Sequence, residues 1–449
     1  MAAPRRHTSK PRPSHRPPAK VRQEPPTHGP VEVTITRVGG RGDGLAEWQG
    51  HRLYVPQTLA GDRLMVKFGE ARADGWEGVP VSLLEEAPGR TDPACQHFGS
   101  CGGCVAQHMD EATYTAWKLE MLTSILGRAG LLGDDVTLHP LARTGPGGRR
   151  RASLVAAQRG RRTWLGFNEA HSHKLVDLAE CAVLAPPLVA LLNPLRAVLS
   201  QILADGQQID VSLTLLDDGV DMVLEGLPEP DLRVLETLAA FAESADLARL
   251  CWRAKEGRPA EPIAMRRRGS ITFGPVSQSP APGSFLQASP AGESAIIAAA
   301  LAGIGEAKEV ADLFAGSGTL TFPLSQQARV HAVEGDGDAV ASLQAGARIR
   351  PPGQVTVERR DLFRDPLPPY DLNRFDAVLF DPPRAGAQAQ AAELAKSTVP
   401  VLVAVSCNPA TFTRDAALLI EGGYRLTDVW PVDQFLWSSH LELVGRFVR

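Results

Sequence analysis

The segment Val310-Ala-Asp-Leu-Phe-Ala-Gly-Ser-Gly-Thr319 joins a short apolar run to a glycine-containing loop. The apolar run predicts a buried strand over residues 310–314, and Ala315-Gly-Ser-Gly318 predicts a turn into a helix. Further apolar runs follow, each separated from the next by a stretch with room for a helix: 330–333, 355–357, 377–380 and 401–405. This alternation is typical of a doubly wound parallel sheet in an α/β fold.

Two more strand-like segments, 425–429 and 441–448, close the chain and enclose the loop 431–440. A terminal hairpin after five strand–helix units resembles the outline of a class I methyltransferase more than that of a dehydrogenase. We therefore predict that residues 271–449 form a catalytic domain with the class I S-adenosylmethionine-dependent methyltransferase fold.

The rest of the 449-residue chain changes character along its length, as expected for about two to four domains. Residues 1–30 hold eight prolines, seven basic residues and one acid, which predicts a disordered basic tail. Apolar alternation with glycine turns over 31–90 predicts a small OB-like β-barrel. Residues 91–270 form a central α+β region of unassigned topology, with one helix predicted over 108–130 that we expect to dock on the catalytic domain.

Charge and hydropathy limit the classes of function. A net charge of −4 excludes binding of nucleic acid through a global positive field, so local patches would have to provide it. One such patch runs from Arg143 to Trp164, with seven arginines, no acid and neighbouring aromatic residues, and favours RNA backbone binding over a solvated surface. No apolar run approaches the roughly 18 residues of a membrane span. We expect a cytoplasmic, monomeric protein without a membrane partner.

Polar residues at the predicted strand ends form a candidate cofactor site. Gly316 and Gly318 make only a G-x-G, less than a full dinucleotide fingerprint. Glu334 ends the second strand, 18 residues after the first glycine, where an acid can accept hydrogen bonds from a ribose diol. Asp361 ends the third strand and can accept from an adenine amino group. S-adenosylmethionine, with a ribose but no pyrophosphate, fits this pattern better than a generic turn with surface acids.

Cys407 ends the fifth predicted strand and is followed at once by Asn408-Pro409. A lone cysteine at a strand end is most often buried packing. Here Asn408-Pro409 ends the strand, which places the thiol at the ligand edge of the sheet and near the start of the next helix, where a thiolate is favoured. Such a thiolate could attack an electron-poor ring carbon.

Three other cysteines lie together as Cys95-x5-Cys101-Gly-Gly-Cys104, and Cys181 lies far downstream. Clustered cysteines in a cytosolic enzyme more often hold a metal than a disulfide. The residues alone leave both zinc and an iron–sulfur cluster open, with zinc favoured by its general frequency. Cys251 is left over and is expected to be structural.

Several motifs occur together in the C-terminal half: Asp312-Leu-Phe-Ala-Gly-Ser-Gly318, Asp381-Pro-Pro-Arg-Ala-Gly386, Val405-Ser-Cys-Asn-Pro-Ala-Thr-Phe412 and Phe435-x-x-Ser438-x-His440-x-Glu442. In combination they resemble the RNA uridine-5 methyltransferases of the TrmA/RumA type. The resemblance covers nearly the whole chain after residue 30. Its N-terminal part, with Gly42-Asp-Gly-Leu-Ala46 and with Val55-Pro56 before Gly61-Asp62, is similar to a TRAM domain, an RNA-binding barrel.

The resemblance implies a mechanism and a substrate. Cys407 would add to C6 of a uridine in RNA, 23S ribosomal RNA being favoured, and C5 would take the methyl group of S-adenosylmethionine. Glu442 matches the general base that removes the C5 proton, and Asp381 matches a residue of the cofactor and substrate pocket.

The resemblance also implies ligands. Gln287, Phe314 and Glu334 match cofactor contacts of the family. The cysteines match those of the iron–sulfur branch, which implies a [4Fe-4S] cluster with these ligands: Cys95, Cys101, Cys104 and Cys181.

Four alternatives stay open at this point. An amino-group methyltransferase is one, because Asp-Pro-Pro motifs also serve exocyclic nitrogens, but it would leave Cys407 and Glu442 without a role. A cytosine-5 RNA methyltransferase also uses a strand-end cysteine, but commonly has a second one at the Pro-Pro motif, where this chain has Asp381-Pro-Pro-Arg384. A transfer RNA uridine-5 methyltransferase would share the motifs. A non-catalytic ribosome-assembly factor could use the barrel and the arginines equally well, although intact Cys407, Asp381 and Glu442 argue against it.

Overall fold

The computed structural model describes residues 24–170, 172–255 and 257–449. The basic tail predicted over residues 1–30 therefore lies, up to residue 23, outside the described residues. Within the described ranges, no helix combines the length and the apolar character needed to cross a membrane.

The N-terminal part is a six-stranded sheet. Its strands are β1 (Val31–Thr34), β2 (Arg37–Val38), β3 (Gly44–Trp48), β4 (His51–Val55), β5 (Arg63–Arg72) and β6 (Gly75–Glu85). The order is β1-β5-β6-β4-β3-β2, and all neighbours are antiparallel except β4 and β6. The Thr36 amide after β1 donates to the Leu45 carbonyl of β3 at 2.8 Å, so the sheet folds back on itself. Inward-facing apolar side chains such as Leu53 and Val66 fill its interior.

One helix and two very short strands then cross to the C-terminal part of the protein. They are α1 (Glu111–Arg128), β7 (Thr137–Leu138) and β8 (Ala142–Arg143). Asp110 caps α1 by accepting a hydrogen bond from the Thr113 amide at 2.8 Å. The helix therefore begins at Glu111, whereas the sequence predicted a start at residue 108. Leu122 of α1 shares an apolar core with Leu419 of the C-terminal part.

The described residues between 151 and 265 form a seven-stranded sheet with three helices. Its elements are β9 (Arg151–Arg159), β10 (Arg162–Asn168), β11 (Leu175–Asp177), α2 (Pro186–Ala190), α3 (Leu192–Ile202), β12 (Gln208–Leu216), β13 (Gly219–Glu225), α4 (Leu232–Ser244), β14 (Arg249–Arg253) and β15 (Glu261–Met265). The order is β11-β10-β9-β12-β13-β14-β15, parallel only between β13 and β14. Helices α3 and α4 pack on this sheet through Leu195, Leu199 and Phe241. Cys251 is buried in β14.

A small hairpin leads into the C-terminal region. The elements are β16 (Ile271–Phe273), β17 (Val276–Gln278), α5 (Pro290–Ile304), β18 (Glu309–Leu313), α6 (Thr321–Leu324), β19 (Arg329–Glu334), α7 (Gly337–Ala347), β20 (Val355–Arg359), α8 (Pro369–Leu372), β21 (Ala377–Phe380), α9 (Gln388–Lys396), β22 (Val401–Ser406), α10 (Pro409–Glu421), β23 (Arg425–Asp433) and β24 (Glu442–Val448). The predicted parallel strands and the closing hairpin are therefore present.

The strand order of the C-terminal sheet is β20-β19-β18-β21-β22-β24-β23. Strands β18 to β22 are mutually parallel, and β24 runs antiparallel to both of its neighbours. Helix α5 packs on one face, whereas α1, α9 and α10 pack on the other. After β18 the chain adds β19 and β20 on one side of that strand and then crosses to β21 on its other side. This change of direction creates a topological switch point beside β18. The predicted α/β fold, a doubly wound sheet with a terminal hairpin, is confirmed.

The same sheet also includes residues from outside the range 271–449. Strands β7 and β8 pair in parallel with β23, next to the closing hairpin. The C-terminal fold is therefore completed by residues 137–143, which the sequence had assigned to the central region.

Candidate active site

The carboxyl ends of the parallel strands bring predicted cofactor residues to one edge of the sheet. Phe314 follows β18, Glu334 is the last residue of β19, and Asp361 comes two residues after β20. The Gly316 amide donates to a Glu334 carboxylate oxygen at 2.9 Å. The other oxygen of Glu334 accepts from the next two backbone amides at 2.7 Å each. The loop after β18 and the acid after β19 therefore form one rigid unit.

Asp361, whose Cα would lie 3.5 Å from a Cβ on Gly335, has an aromatic neighbour. It is exposed, and its carboxylate accepts from the Phe363 amide at 3.1 Å. The ring centroids of Phe363 and Phe314 are 5.4 Å apart, and Phe363 is 48% exposed. Two partly open aromatic rings near acids suit a flat ring that carries hydrogen-bond donors. Phe363 was missed in the sequence, where its position beside Asp361 was the available signal.

Gln287, Asp381, Gln434 and Glu442 form one hydrogen-bonded chain. Gln287 Nε2 donates to Asp381 Oδ2 at 3.3 Å. Gln434 Nε2 donates to Gln287 Oε1 at 2.8 Å and also to Glu442. Gln434 Oε1 accepts from the Ala288 amide at 2.8 Å, which fixes the orientation of its amide group. Sequence reasoning missed Gln434, because only the pairing of β23 with β24 brings it beside Glu442.

Burial raises the pKa of both carboxyl groups in this chain. Glu442 is 3% exposed, and burial raises its pKa to about 7 against the opposing effect of the hydrogen bond from Gln434. Burial also raises the pKa of Asp381 well above its ordinary value, with further contributions from Glu442 and Asp312. The raised pKa of Asp381 favours its protonated form, which can donate a hydrogen bond, whereas Glu442 exchanges its proton near neutrality.

Cys407 lies at the end of the β22–β24 ladder. Ser406 pairs with Leu443, so the next residue on each strand places Cys407 opposite Glu442. Asp381, directly after β21, is also close enough for its charge to act on the thiol. The structure thus brings the predicted nucleophile and the predicted base together.

The electrostatic environment of Cys407 differs from the prediction. Burial raises the pKa of the Cys407 thiol to about 11, and the charges of Glu442 and Asp381 add to this effect. Arg384 acts in the opposite direction but is the weaker influence. The expectation that the start of α10 would favour a thiolate is therefore wrong for the free protein, because burial and two carboxyl groups outweigh the helix terminus.

A cavity of about 500 Å³ connects Cys407 with the cysteine cluster. Its volume lies in the usual range of small-molecule sites, about 300–1,000 Å³. The loop between β23 and β24 forms part of its wall. The cysteines that line it are Cys95, Cys101, Cys104, Cys181 and Cys407.

The four clustered cysteines lie together at the wall of this cavity. Burial raises the pKa of the Cys104 thiol to about 12, and the other three thiols add to this effect, so all four are close to one another. Among the described residues, which include all four, no three of these sulfur atoms lie within 4.8 Å of one another. Zinc with about 2.3 Å bonds would hold its sulfur ligands about 3.8 Å apart. Among the described residues, no three of these thiols are therefore spaced as ligands of one zinc ion are.

His97 and Glu180 lie beside Cys95, and the sequence gave no reason to select them. One ligand atom from each of these three residues falls within a group 4.8 Å across. His97 Nδ1 is 3.6 Å from Cys95 Sγ, and its Nε2 accepts from the Ala179 amide at 3.3 Å. Glu180 accepts from the amide that follows Cys95 at 2.9 Å. These contacts hold the Cys95 segment against the segment that carries Cys181.

The arginine run from Arg143 to Trp164 does not form a single surface. Arg150 is buried, pairs with Glu293 at 2.5 Å and donates from Nε to the Gln287 carbonyl at 3.0 Å. The arginines around the turn between β9 and β10 remain exposed: Arg159, Arg161 and Arg162. Within this run, only the turn presents several exposed arginines together, as an RNA-binding patch requires. Arg150 instead connects the central sheet to the segment that contains Gln287.

The sheet order, the terminal hairpin and the glycine loop at the switch point define a class I methyltransferase. Residues 354–448 match the family model of tRNA (uracil-5-)-methyltransferases. The 23S rRNA (uracil(1939)-C(5))-methyltransferase RlmD of Aeromonas salmonicida is 32% identical over 93% of this chain and 96% of its own. An uncharacterized RNA methyltransferase of Brucella suis biovar 1 is 41% identical over 93% of this chain and 98% of its own. The chain belongs to the uracil-5 RNA methyltransferase family and is an S-adenosylmethionine-dependent RNA methyltransferase.

A solved structure supports the fold. The Pyrococcus abyssi tRNA (uracil-54, C5)-methyltransferase in complex with S-adenosyl-L-homocysteine superposes with a TM-score of 0.73 at 21% identity. The match covers 93% of this chain and 99% of that one. The architecture is therefore shared along nearly the whole length of both chains.

The two glycines of the loop after β18 allow stability and cofactor binding to be tested separately. A Cβ at Gly318 would lie 2.3 Å from the Phe322 ring, and φ is +98°. We expect Gly318→Ala to lower the free energy of unfolding by about 1–3 kcal/mol. A Cβ at Gly316 would meet no atom within 4 Å, and its φ of +56° suits the left-handed region.

We expect Gly316→Ala to fold, with a strain of about 1–2 kcal/mol. It should bind S-adenosylmethionine at least roughly tenfold more weakly, because the new methyl group would occupy the open space beside the loop. Thermal unfolding and calorimetric titration of S-adenosylmethionine measure the two effects. Unchanged affinity in Gly316→Ala would place the cofactor away from this loop.

Proposed function

We propose that the protein methylates C5 of a uridine in RNA through a transient bond between Cys407 and C6 of the base. The observation that carries this proposal is the placement of Cys407 opposite Glu442, at the wall of a cavity. A nucleophile and a base so placed can act on two neighbouring carbons of one ring. Membership of the uracil-5 family supports the same chemistry.

The Cys407 thiol keeps its proton in the free protein and in this mechanism loses it to solvent, so that Sγ attacks as a thiolate. As the bond between Sγ and C6 forms, the C5–C6 π electrons move onto C5 and its ring carbonyl, which makes C5 the nucleophile. S-adenosylmethionine, when bound, supplies the methyl group that C5 acquires. Glu442 as a carboxylate then takes the C5 proton. The electron pair of that C–H bond re-forms the C5–C6 double bond, and the bond between Sγ and C6 breaks to release the thiolate. A pKa of about 7 allows Glu442 to accept and later lose this proton near neutral pH.

Asp381 and Gln287 would orient the base. A protonated Asp381 can donate a hydrogen bond to a ring carbonyl, which gains negative charge once the thiol has added. Gln287 holds Asp381 at 3.3 Å and is itself held by Gln434. The orienting acid and the proton-accepting base are therefore fixed by one continuous set of hydrogen bonds.

We propose that S-adenosylmethionine lies along the loop after β18. Glu334 would accept from the ribose hydroxyls and Asp361 from the adenine amino group, with Phe363 beside the ring. The residues proposed to hold the cofactor, as predicted from the sequence, are Gln287, Phe314, Gly316, Gly318, Glu334, Asp361 and Asp381.

We favour 23S ribosomal RNA as the substrate because the Aeromonas salmonicida 23S enzyme aligns over nearly its whole length. The sheet within 31–90, as a TRAM-like barrel, and the exposed arginines of the central region, 91–270, would bind the RNA backbone. The target base must leave its stack to reach Cys407, so a loop or a remodelled region is the expected site. The enzyme would meet this RNA in the cytoplasm and act as a monomer.

Methylation of separately transcribed 23S and transfer RNA tests the proposed function. After incubation with S-adenosylmethionine, each RNA is digested to nucleosides and analysed by mass spectrometry, and the modified position is mapped. We expect 5-methyluridine in 23S RNA. Finding 5-methylcytidine would contradict the proposed chemistry, and 5-methyluridine in transfer RNA alone would contradict the proposed substrate.

We further propose that the four clustered cysteines bind a [4Fe-4S] cluster. The four thiols lie close to one another and line one cavity, and cysteine thiolates are the usual ligands of such clusters. Methyl transfer requires no electrons, so the cluster would supply structural support to this wall of the cavity. The ligands would be Cys95, Cys101, Cys104 and Cys181.

Removing one ligand tests the cluster directly. In protein purified without oxygen, Cys104→Ala should lower bound iron and acid-labile sulfide at least about tenfold, because cluster binding needs all four thiolates. Cys251→Ala should retain wild-type iron, since Cys251 is buried in β14, which carries none of the four proposed ligands. Stoichiometric zinc without sulfide in the wild type would overturn the assignment.

A further inference from the structure

The loop of residues 434–441 connects β23 to β24 and leads directly into Glu442. Gln434 at its start binds both Gln287 and Glu442, and several of its other residues line the cavity. Trp437 in its middle has a φ of +58°, which a bulky residue adopts only when its surroundings hold it there. Contacts outside the loop must therefore determine its conformation.

Two side chains of α1 make such contacts. Tyr114 Oη donates to Asp433 Oδ2 at 2.7 Å and accepts from the Trp437 amide at 2.8 Å. Lys118 Nζ donates to Asp433 Oδ1 at 3.1 Å and to the His440 carbonyl. Tyr114 and Lys118 are four residues apart and so lie on one face of α1. Together they bind Asp433, which precedes the loop, Trp437 in its middle and His440 near its end.

We infer that Tyr114, Lys118 and Asp433 are positioning residues that fix this loop so that Glu442 meets the base bonded to Cys407. The inference rests on the proposed role of Glu442. The three side chains are almost completely buried, with exposures of 1%, 0% and 0%. A buried ion pair is weak evidence for stability, because taking two charges out of water is unfavourable. The buried pair of Lys118 and Asp433 instead has a role if it holds the loop of residues 434–441 in one conformation.

The opposite side of the loop has its own anchor. The Val105 and Ala106 amides, just after Cys104, donate to the Trp437 carbonyl at 2.8 and 3.2 Å. This anchor would remain after a change in Tyr114. Removal of the tyrosine hydroxyl should therefore loosen the loop without detaching it.

Tyr114→Phe tests the inference, with Tyr424→Phe as the matched control. Both remove a buried hydroxyl, and that of Tyr424 donates to the Val399 carbonyl at 2.8 Å, away from the loop. In Tyr114→Phe we expect amide hydrogen exchange in residues 434–441 to accelerate at least about tenfold. With RNA as substrate, kcat should fall about tenfold while the KM for S-adenosylmethionine stays unchanged. Tyr424→Phe should change neither quantity.

Unchanged exchange in residues 434–441 of Tyr114→Phe would overturn the inference, as would an equal loss of kcat in both tyrosine variants. The exchange measurement needs no substrate, so it remains decisive even if no RNA is methylated. If Tyr114→Phe does not fold, Lys118→Met combined with Asp433→Asn removes the ion pair without leaving a lone buried charge. That double variant should show the same acceleration, and its absence would likewise overturn the inference.

Discussion

Replacing Cys407 by alanine should abolish RNA methylation, with a kcat at least about 10⁴-fold below that of the wild type. The thiol is the group placed opposite Glu442 at the cavity wall, and an alanine cannot form the bond to C6. Affinity for S-adenosylmethionine should stay within about twofold, because the proposed cofactor loop follows a different strand, β18. Single-turnover methylation of 23S RNA and calorimetric titration of the cofactor measure the two quantities.

Cys251→Ala is the matched control for this variant. Burial raises the pKa of both thiols to about 11, but Cys251 lies in β14 of the central sheet. Its substitution should leave kcat unchanged. Full activity of Cys407→Ala would reject covalent catalysis and favour methylation of an exocyclic nitrogen.

RNA containing 5-fluorouridine gives an independent readout of the same bond. Glu442 can remove a proton from C5 but cannot remove fluorine as a cation, so the bond between Sγ and C6 should persist. We expect a denaturation-resistant protein–RNA adduct in the wild type and none in Cys407→Ala. Peptide mapping of the adduct to any other cysteine would refute the assignment of the nucleophile.

The residues that follow buried strands could be predicted from the sequence. Apolar runs of ordinary strand length fixed the positions of Glu334 and Cys407, because parallel strands deliver the residues at their carboxyl ends to one edge of the sheet. Glu442 was different. Its role came from family resemblance, and the antiparallel register of β22 and β24 then placed it opposite Cys407.

Side-chain partners distant in the sequence could not be predicted. Gln434 meets Gln287 across 147 residues, and no local pattern records that contact. Arg150 looked like one more exposed charge in a basic run, but its guanidinium turns inward to Glu293. Local composition reports charge density, whereas the direction of a side chain depends on the packing of distant elements.

The environment of Cys407 could not be predicted from the sequence for a related reason. The start of α10 suggested a thiolate at Cys407, but burial and the carboxyl groups of Glu442 and Asp381 raise its pKa. The thiol and the two carboxyl groups lie at the ends of three different strands, β22, β24 and β21. The sequence did not predict strands β7 and β8, because each has only two residues and so shows no periodic pattern. Both strands nevertheless pair with β23 and extend the sheet.

Glu442→Gln should stop the reaction after methyl transfer. The glutamine oxygen can still accept the hydrogen bond from Gln434, so we expect the network and the fold to be retained. Without a carboxylate the C5 proton remains, and the RNA should accumulate as a methylated adduct on Cys407. Turnover should fall by about 10²–10⁴-fold, the usual contribution of a general base. Glu421→Gln, an exposed acid at the end of α10, should behave as the wild type.

The pH dependence of turnover provides a second test of Glu442. Burial raises its pKa from an ordinary value of 4.5 to about 7. Below that pH the group is protonated and cannot accept the C5 proton, and above it the carboxylate can. Release of methylated RNA by the wild type should therefore rise as the pH passes upward through about 7, and the residual activity of Glu442→Gln should lack this step. A wild-type rate that does not rise over this interval would show that Glu442 is not the group that accepts the proton.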